Sequence, residues 1–353
     1  MASSRVKTTF LVISDTHSVE LTSDIRTPFR LPTARADVVL LCGDITENGG
    51  LENHEAAVAQ LVSIDAELKL VIPGNHDVDL DEHYCRRHGI ESTLNEQAIK
   101  LWKSEETRSK GIVFLDEGVH EFALTNGAHF TIYASPWTPK HGDSAFQYAS
   151  GDRWNSAEVT ESPYLNTSSD SSVIPANIDI IMTHGPPKYV LDGNNSAGCE
   201  HLWNAIRRTK PRMHCFGHVH GGYGHHRVLW TNLNADEIDE ESGSSHAIAP
   251  TTRLNRRLEG GRQVTDGKLD LMPTFVSVGA AKKRGYAELK AGDLGTQGQE
   301  TLFVNAALTD EGVFTRPPWL IELELEGRET LGEDCSKKRK RHSETVSVLK
   351  RRT

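Results

Sequence analysis

Short apolar runs rich in Val, Ile and Phe recur along the chain: Thr9 to Ile13, Val38 to Leu41, Leu70 to Ile72, Ile112 to Leu115, Phe130 to Ala134 and Ile178 to Met182. Later runs are Met213 to Phe216, Arg227 to Trp230, Thr274 to Val278, Leu302 to Ala307 and Leu320 to Leu325. Runs of this length, bounded by Gly, Pro, Asn or Asp, predict buried strands. They are too many for one small sheet. Between the second and third runs, Leu51, Glu55, Val58, Leu61, Val62 and Leu68 keep a spacing of mostly three and four, which predicts an amphipathic helix over Leu51 to Leu68 and a strand–helix–strand crossover. Leu94 to Ser104 and Glu200 to Arg208 are further helical segments, the second stopping before Pro211. The pattern predicts two packed sheets flanked by helices.

Three stretches keep no period: about 137–176, which is Ser-rich, about 231–272, which is polar and charged, and the end of the chain. The first two read as surface insertions within one domain. The organisation expected is a lead over 1–7, one domain over 8–326 and a basic, unstructured tail over 327–353. No internal repeat is present, which excludes a solenoid or propeller.

Charge sharpens this division. The last 18 residues hold eight Lys/Arg against one Glu, so the net charge of -10 belongs to a body near -17 with a basic end. An acidic body argues against general nucleic-acid binding. Lys337-Lys338-Arg339-Lys340-Arg341 resembles a nuclear-localisation cluster that an import receptor would read. Five scattered cysteines with no CxxC pair argue against a disulfide framework or zinc knuckle. No apolar run reaches membrane-spanning length, so the chain is expected in the cytoplasm or nucleus, without a membrane partner.

The chemistry sits at the ends of the predicted strands. Asp15 and His17 follow the first, Gly43-Asp44 the second and Gly74-Asn75-His76-Asp77 the third. His184-Gly185-Pro186-Pro187 follows Ile178 to Met182, and Gly217-His218-Val219-His220 follows Met213 to Phe216. Open α/β sheets place ligands beyond the carboxyl ends of their strands, which gives the repetition a reason. Extended alternation would turn Asp15 with His17, and His218 with His220, to one side. Asp15, His17, Asp44 and His220 suffice for one cation and Asp44, Asn75, His184 and His218 for a second, with Asp44 as the bridge. A shared carboxylate suits ions roughly 3.5–4 Å apart. Imidazole, carboxylate and amide oxygen together suit Mn, Fe, Zn or Co.

The ordered set of DxH, GD, GNHD, THGPP and GHVH resembles the calcineurin-like metallophosphoesterases. Gly217 to Gly224, Ser135-Pro136-Trp137, His184 to Pro187 and Val304-Asn305-Ala306 further resemble the metallophosphoesterase-domain proteins related to class III cyclic-nucleotide phosphodiesterases. The resemblance spans about residues 8 to 325. It implies an α/β fold, a four-layer α-β-β-α sandwich of two mixed sheets flanked by helices. It also implies two divalent ions, Mn foremost, held by the seven residues above, with a bridging hydroxide as nucleophile. His76 is then the phosphate-binding group and leaving-group acid, and Asp77 the residue steadying its ring. The implied substrate is a small phosphodiester, nucleotide-derived ones included. A phosphomonoesterase, a Ser/Thr protein phosphatase and a non-catalytic scaffold of the same fold are the alternatives.

Overall fold

The computed structural model describes residues 5–149, 153–154, 173–193, 195–230, 278–290, 298–310 and 312–327. The whole 231–272 insertion, the middle of 137–176 and the expected tail beyond 327, with the basic cluster Lys337 to Arg341, lie outside the described residues, as do Thr274 to Ser277 of one expected strand.

The first half runs β1 (Arg5–Ile13), β2 (Ala36–Cys42), α1 (Leu51–Ser63), β3 (Ala66–Ile72), α2 (Glu82–His88), α3 (Ser92–Lys103), α4 (Glu105–Ser109) and β4 (Ile112–Phe114). The hairpin β5 (Gly118–Ala123) and β6 (Ala128–Ser135) follows, then the short β7 (Thr138–Pro139) and β8 (Gln147–Tyr148). The second half runs β9 (Ile180–Thr183), α5 (Glu200–Thr209), β10 (Met213–Phe216), β11 (Gly224–Leu229), α6 (Val278–Arg284), β12 (Ala287–Lys290) and β13 (Glu300–Asn305). A small hairpin, β14 (Thr309–Asp310) with β15 (Val313–Phe314), leads into β16 (Trp319–Gly327).

Hydrogen bonds link the strands in the order β11-β13-β10-β9-β6-β16-β1-β2-β3-β4, so the two expected sheets share one path. The seam is narrow: β6 and β16 pair only at His129 with Glu326 and Ala128 with Gly327. On either side of it the halves fold face to face. Phe10, Val12, Leu40, Leu70 and Ile72 of the first half pack in one cluster with Phe130, Ile132, Met182, Cys215 and Val304 of the second. Alternation sends Leu11, Val39, Leu41 and Val71 to the opposite face, beneath Val58 and Leu61 of α1 and Trp102 of α3. In the second half Tyr133, Ile181, Phe216 and Phe303 face out against Leu202, Trp203 and Ile206 of α5. The result is the expected succession of helix, sheet, sheet and helix. Each fully buried aliphatic or Phe side chain contributes about 1.5–3 kcal/mol to that packing.

Two expected elements differ. The first helix stops at Ser63, because Leu68 keeps the two-residue period of β3 and packs with it on the inner cluster. Val278 opens α6 and is not the end of a strand.

Strand direction positions the site. β1, β2 and β3 are mutually parallel, and so are β6, β9, β10 and β13, which puts the carboxyl ends of each set on one edge. The two edges are tied together where the chain leaves β13: Ser14 N–H donates to Ala306 O (3.0 Å), Ala306 N–H to Phe216 O (2.8 Å) and Leu308 N–H to Ser14 O (3.1 Å).

Candidate metal centre

Every predicted ligand lies on this shared edge. Asp15, His17 and His220 form one group of donors that lie within 4.8 Å of one another, and Asp44, His184 and His218 form another. Asn75 joins the second through Oδ1, 2.9 Å from His184 Nε2. Asp44 stands between the groups, with Oδ1 3.3 Å from His184 Nε2 and Oδ2 3.7 Å from His17 Nε2. The expected ligands thus fall into two donor groups with Asp44 within 3.3–3.7 Å of a histidine of each. His76 lies close to both, in a third group with His17 and Asp44.

The convergence does not come from extended alternation. Asp15, His17, Asp44 and His218 have φ of 54, 46, 49 and 63°, in the left-handed region that side chains other than glycine avoid at a cost of about 1–2 kcal/mol each. A lattice of bonds holds the loops there: Asp15 N–H donates to Gly43 O (2.9 Å), His17 N–H to Asp44 O (3.0 Å), and His218 N–H reaches both oxygens of Asp15 at 3.1 and 3.0 Å. Backbone strain of this kind persists where the surroundings over-determine it. Two glycines admit the ligands. A Cβ on Gly43, at φ 98°, would stand 2.5 Å from His184 Nδ1, and one on Gly74 would collide with the Asp44 carboxylate.

The electrostatics suit cations. Asp15 and Asp44 are buried, and among the described residues no Lys or Arg pairs with either. Burial alone would raise the pKa of Asp44, but the His184 and His17 rings hold it well below the usual carboxylate range. Burial also opposes Asp15, which the His220 hydrogen bond (3.1 Å) keeps low. His184 is desolvated, yet the neighbouring Asp44 and Asp15 charges push its pKa up to about 9. His218 is driven down to about 4, by burial and then by the His184 charge. His17 Nε2 is buried, has no hydrogen-bond partner and faces both carboxylates. Buried charge without such a partner is expensive. Two anionic carboxylates ringed by imidazoles, with an unsatisfied donor atom between them, fit divalent ions.

Asp77 is placed differently from expectation. Its carboxylate accepts from Thr46 N–H and Thr46 Oγ1 (both 2.8 Å), Ile45 N–H (3.1 Å) and Gly74 N–H (2.7 Å), which fills both oxygens. It braces the two loops that carry Asp44 and Asn75 and leaves the His76 ring alone. The ring is held instead by Glu47, whose carbonyl oxygen accepts from Nδ1 at 2.7 Å. Glu47 was not legible in the sequence. It is one more acidic residue in a polar loop, and its place four residues after Gly43 at a ligand-bearing edge was the only available signal. Thr309 was also missed; its Oγ1 donates to the Asp15 carbonyl (2.8 Å). Asn305, seen only as part of a motif, donates from Nδ2 to Val219 O (2.9 Å) between the two ligands His218 and His220. A cleft of about 300 Å³ opens over the centre, lined by His17, Asp44, Glu47, Asn75, His76, His218, His220, Thr309 and Gly312.

This fold and donor set define a metal-dependent phosphoesterase architecture, and the chain belongs to the calcineurin-like phosphoesterase family, whose model matches residues 8–222. Among individual proteins, it is similar to one named probable rhamnogalacturonate lyase C from Emericella nidulans, at 34% identity over 220 residues, 62% of this chain and 18% of that one. It is 30% identical over 226 residues to human metallophosphoesterase domain-containing protein 1, covering 62% of each chain. It is 31% identical over 210 residues to UPF0046 protein T07D4.2 of Caenorhabditis elegans, covering 53% of this chain and 47% of that one. The chain thus spans less than two thirds of the length of each of these relatives. A solved structure, the phosphopantetheinyl hydrolase of Mycobacterium tuberculosis, aligns with TM-score 0.33 and 14% identity over 60% of this chain and 83% of that one, a likeness too loose to carry an argument. Among the described residues no helix is long and apolar enough to cross a membrane.

Proposed function

We propose that the chain hydrolyses small phosphodiesters, nucleotide-derived ones included, with two divalent cations, Mn2+ foremost, held by Asp15, His17, Asp44, Asn75, His184, His218 and His220. The observation that carries the reading is Asp44, whose two oxygens face one donor group each. When bound, the ions supply Lewis-acid charge to the phosphoryl oxygens and an activated water. The protein supplies the rest. His76, its Nδ1 tethered to the Glu47 carbonyl, presents the other nitrogen to the cleft, where it protonates the departing oxygen.

The lining also supports a diester over a monoester. It contains no Lys or Arg among the described residues, and the Glu47 carboxylate stands at the cleft. A monoanionic diester meets that carboxylate with less repulsion than a dianionic monoester does.

The test is turnover of bis(p-nitrophenyl) phosphate and p-nitrophenyl phosphate by chelator-treated protein, alone and with Mn2+, Co2+, Mg2+ or Zn2+. We expect no turnover without metal, recovery with Mn2+ or Co2+, and a higher kcat/KM for the diester. Turnover by the stripped protein would sink the mechanism, and preference for the monoester would move the assignment to a phosphomonoesterase.

A further inference from the structure

The loop that leaves β2, residues 45–50, has a fixed back and one polar residue at its front. Asp77 holds Ile45 and Thr46, Thr46 Oγ1 accepts from Gly49 N–H (2.9 Å), and Asp79 Oδ2 accepts from Gly50 N–H (2.8 Å). Asp79 is itself locked. Its Oδ1 lies 2.8 Å from His54 Nε2, and Trp102 Nε1–H donates to His54 Nδ1 at 3.2 Å. Indole nitrogen only donates, so His54 Nδ1 accepts and Nε2–H donates to Asp79. The loop therefore meets the cleft from a stiff support.

At its front Glu47 makes three contacts with the site. Its N–H donates to Ser18 Oγ (3.3 Å), its carbonyl accepts from His76 Nδ1, and its carboxylate Oε2 lies 2.9 Å from His17 Nδ1. The two atoms lie within hydrogen-bonding distance but are not aligned for a hydrogen bond, so the pair is a close contact between a carboxylate and an imidazole nitrogen. The two side chains differ in burial: that of His17 is 7% exposed and that of Glu47 58%. An exposed carboxylate fills no cavity and supports no core. What it does at this distance is act on one imidazole.

We propose that Glu47 is a positioning residue that orients His17 as a metal ligand, by keeping the proton on Nδ1 and the Nε2 lone pair on the side of Asp15 and Asp44. The inference rests on the two-metal reading of the site and goes beyond it in making the two cation positions unequal. A carboxylate behind a ligating histidine fixes its tautomer and ring orientation, and its loss typically weakens metal binding about 10–100-fold. His184 gets the same service from the Cys42 carbonyl, which accepts from Nδ1 at 2.8 Å, so only the position served by Asp15, His17 and His220 depends on a side chain from this loop.

The experiment is a calorimetric Mn2+ titration of the metal-free, full-length chain, with electron paramagnetic resonance to separate coupled from isolated Mn2+. Wild type should take two ions. Glu47→Ala should hold one as tightly as wild type and the other about 10–100-fold more weakly. At intermediate Mn2+ it should show an isolated ion where wild type shows a coupled pair. Glu47→Gln keeps an acceptor oxygen without the charge and should fall between them. The melting temperature of the metal-free variants should match wild type. Equal affinity for both ions in Glu47→Ala and wild type would overturn the proposal. Equal weakening of both ions together with a lower melting temperature would also overturn it, by reducing Glu47 to a structural part of the loop. A wild type that takes fewer than two ions would strike at the two-metal reading itself, an outcome separate from either of these.

Discussion

His76 has one ring nitrogen against the Glu47 carbonyl and a backbone N–H donating to Asp44 Oδ1 (2.9 Å), so the residue is steered by its neighbours on both sides. If it protonates the leaving group, its value depends on how badly that group needs the proton. In His76→Ala, a diester that releases nitrophenolate should lose little rate. One that releases a ribose-like alkoxide should lose about 10²–10⁴-fold, with metal content unchanged. Steady-state kinetics on matched diesters at saturating Mn2+ decides it, and equal losses would mean that His76 acts on the phosphate by charge alone. At this scale the residues that gather at the shared edge were readable in the sequence, because Asp, His and Asn recur at successive strand ends. Their geometry was not. Alternation holds inside a strand, and Asp15, His17, Asp44 and His218 stand just beyond strand ends in left-handed conformations that no periodicity announces. Asp77 escaped for a related reason: a sequence gives neighbours along the chain, whereas its carboxylate serves Ile45 and Thr46, some thirty residues away.

Elements were legible where burial was uniform. Runs such as Val38 to Leu41 are buried on both faces, and their apolar content marks β2 without ambiguity. β5 went unseen, since it pairs with β6 along its whole length but alternates half-buried and exposed residues through His120 and Glu121. The loops that join elements to the site are held by side chains, and Asp77 is the clearest case. It is fully buried, with its pKa raised by burial and by the Asp44 charge, and four donors converge on it. Asp77→Ala should strand those donors and destabilise the protein by about 3 kcal/mol or more, at about 1–3 kcal/mol for each buried group left unsatisfied. Urea denaturation would measure this. A loss no larger than that of an ordinary surface substitution, within about 0.5 kcal/mol, would show that the loops keep their shape without the brace.

Outside the candidate metal centre, two of the described histidines are kept neutral by folding. Burial drives His214, between Thr183 and the rings of Phe216 and Phe303, down to about 3; burial and then the His225 charge take His226 down to about 4. Both start near 6.5 when unfolded. Below that pH the unfolded chain binds protons that the folded one refuses, so this stability is complete above about pH 6.5 and is lost as pH falls toward the folded values. Each histidine withdraws about 1.4 kcal/mol per pH unit over that window. Denaturant midpoints of metal-free wild type and His214→Gln should therefore converge as pH drops from 7 to 5, and parallel curves would contradict the buried neutral state. The division of the chain into two halves has a consequence during synthesis. Asp15, His17, Asp44, Asn75 and His76 have all been made when His184, His218 and His220 are still about 110 to 145 residues from translation. At about 5–20 residues per second the ribosome takes roughly 7–30 s to reach His220. Until then the nascent chain has His17, Asp44 and His76 but lacks His184, His218 and His220, so the full set of donors at this edge exists only once the second half has been made and folded.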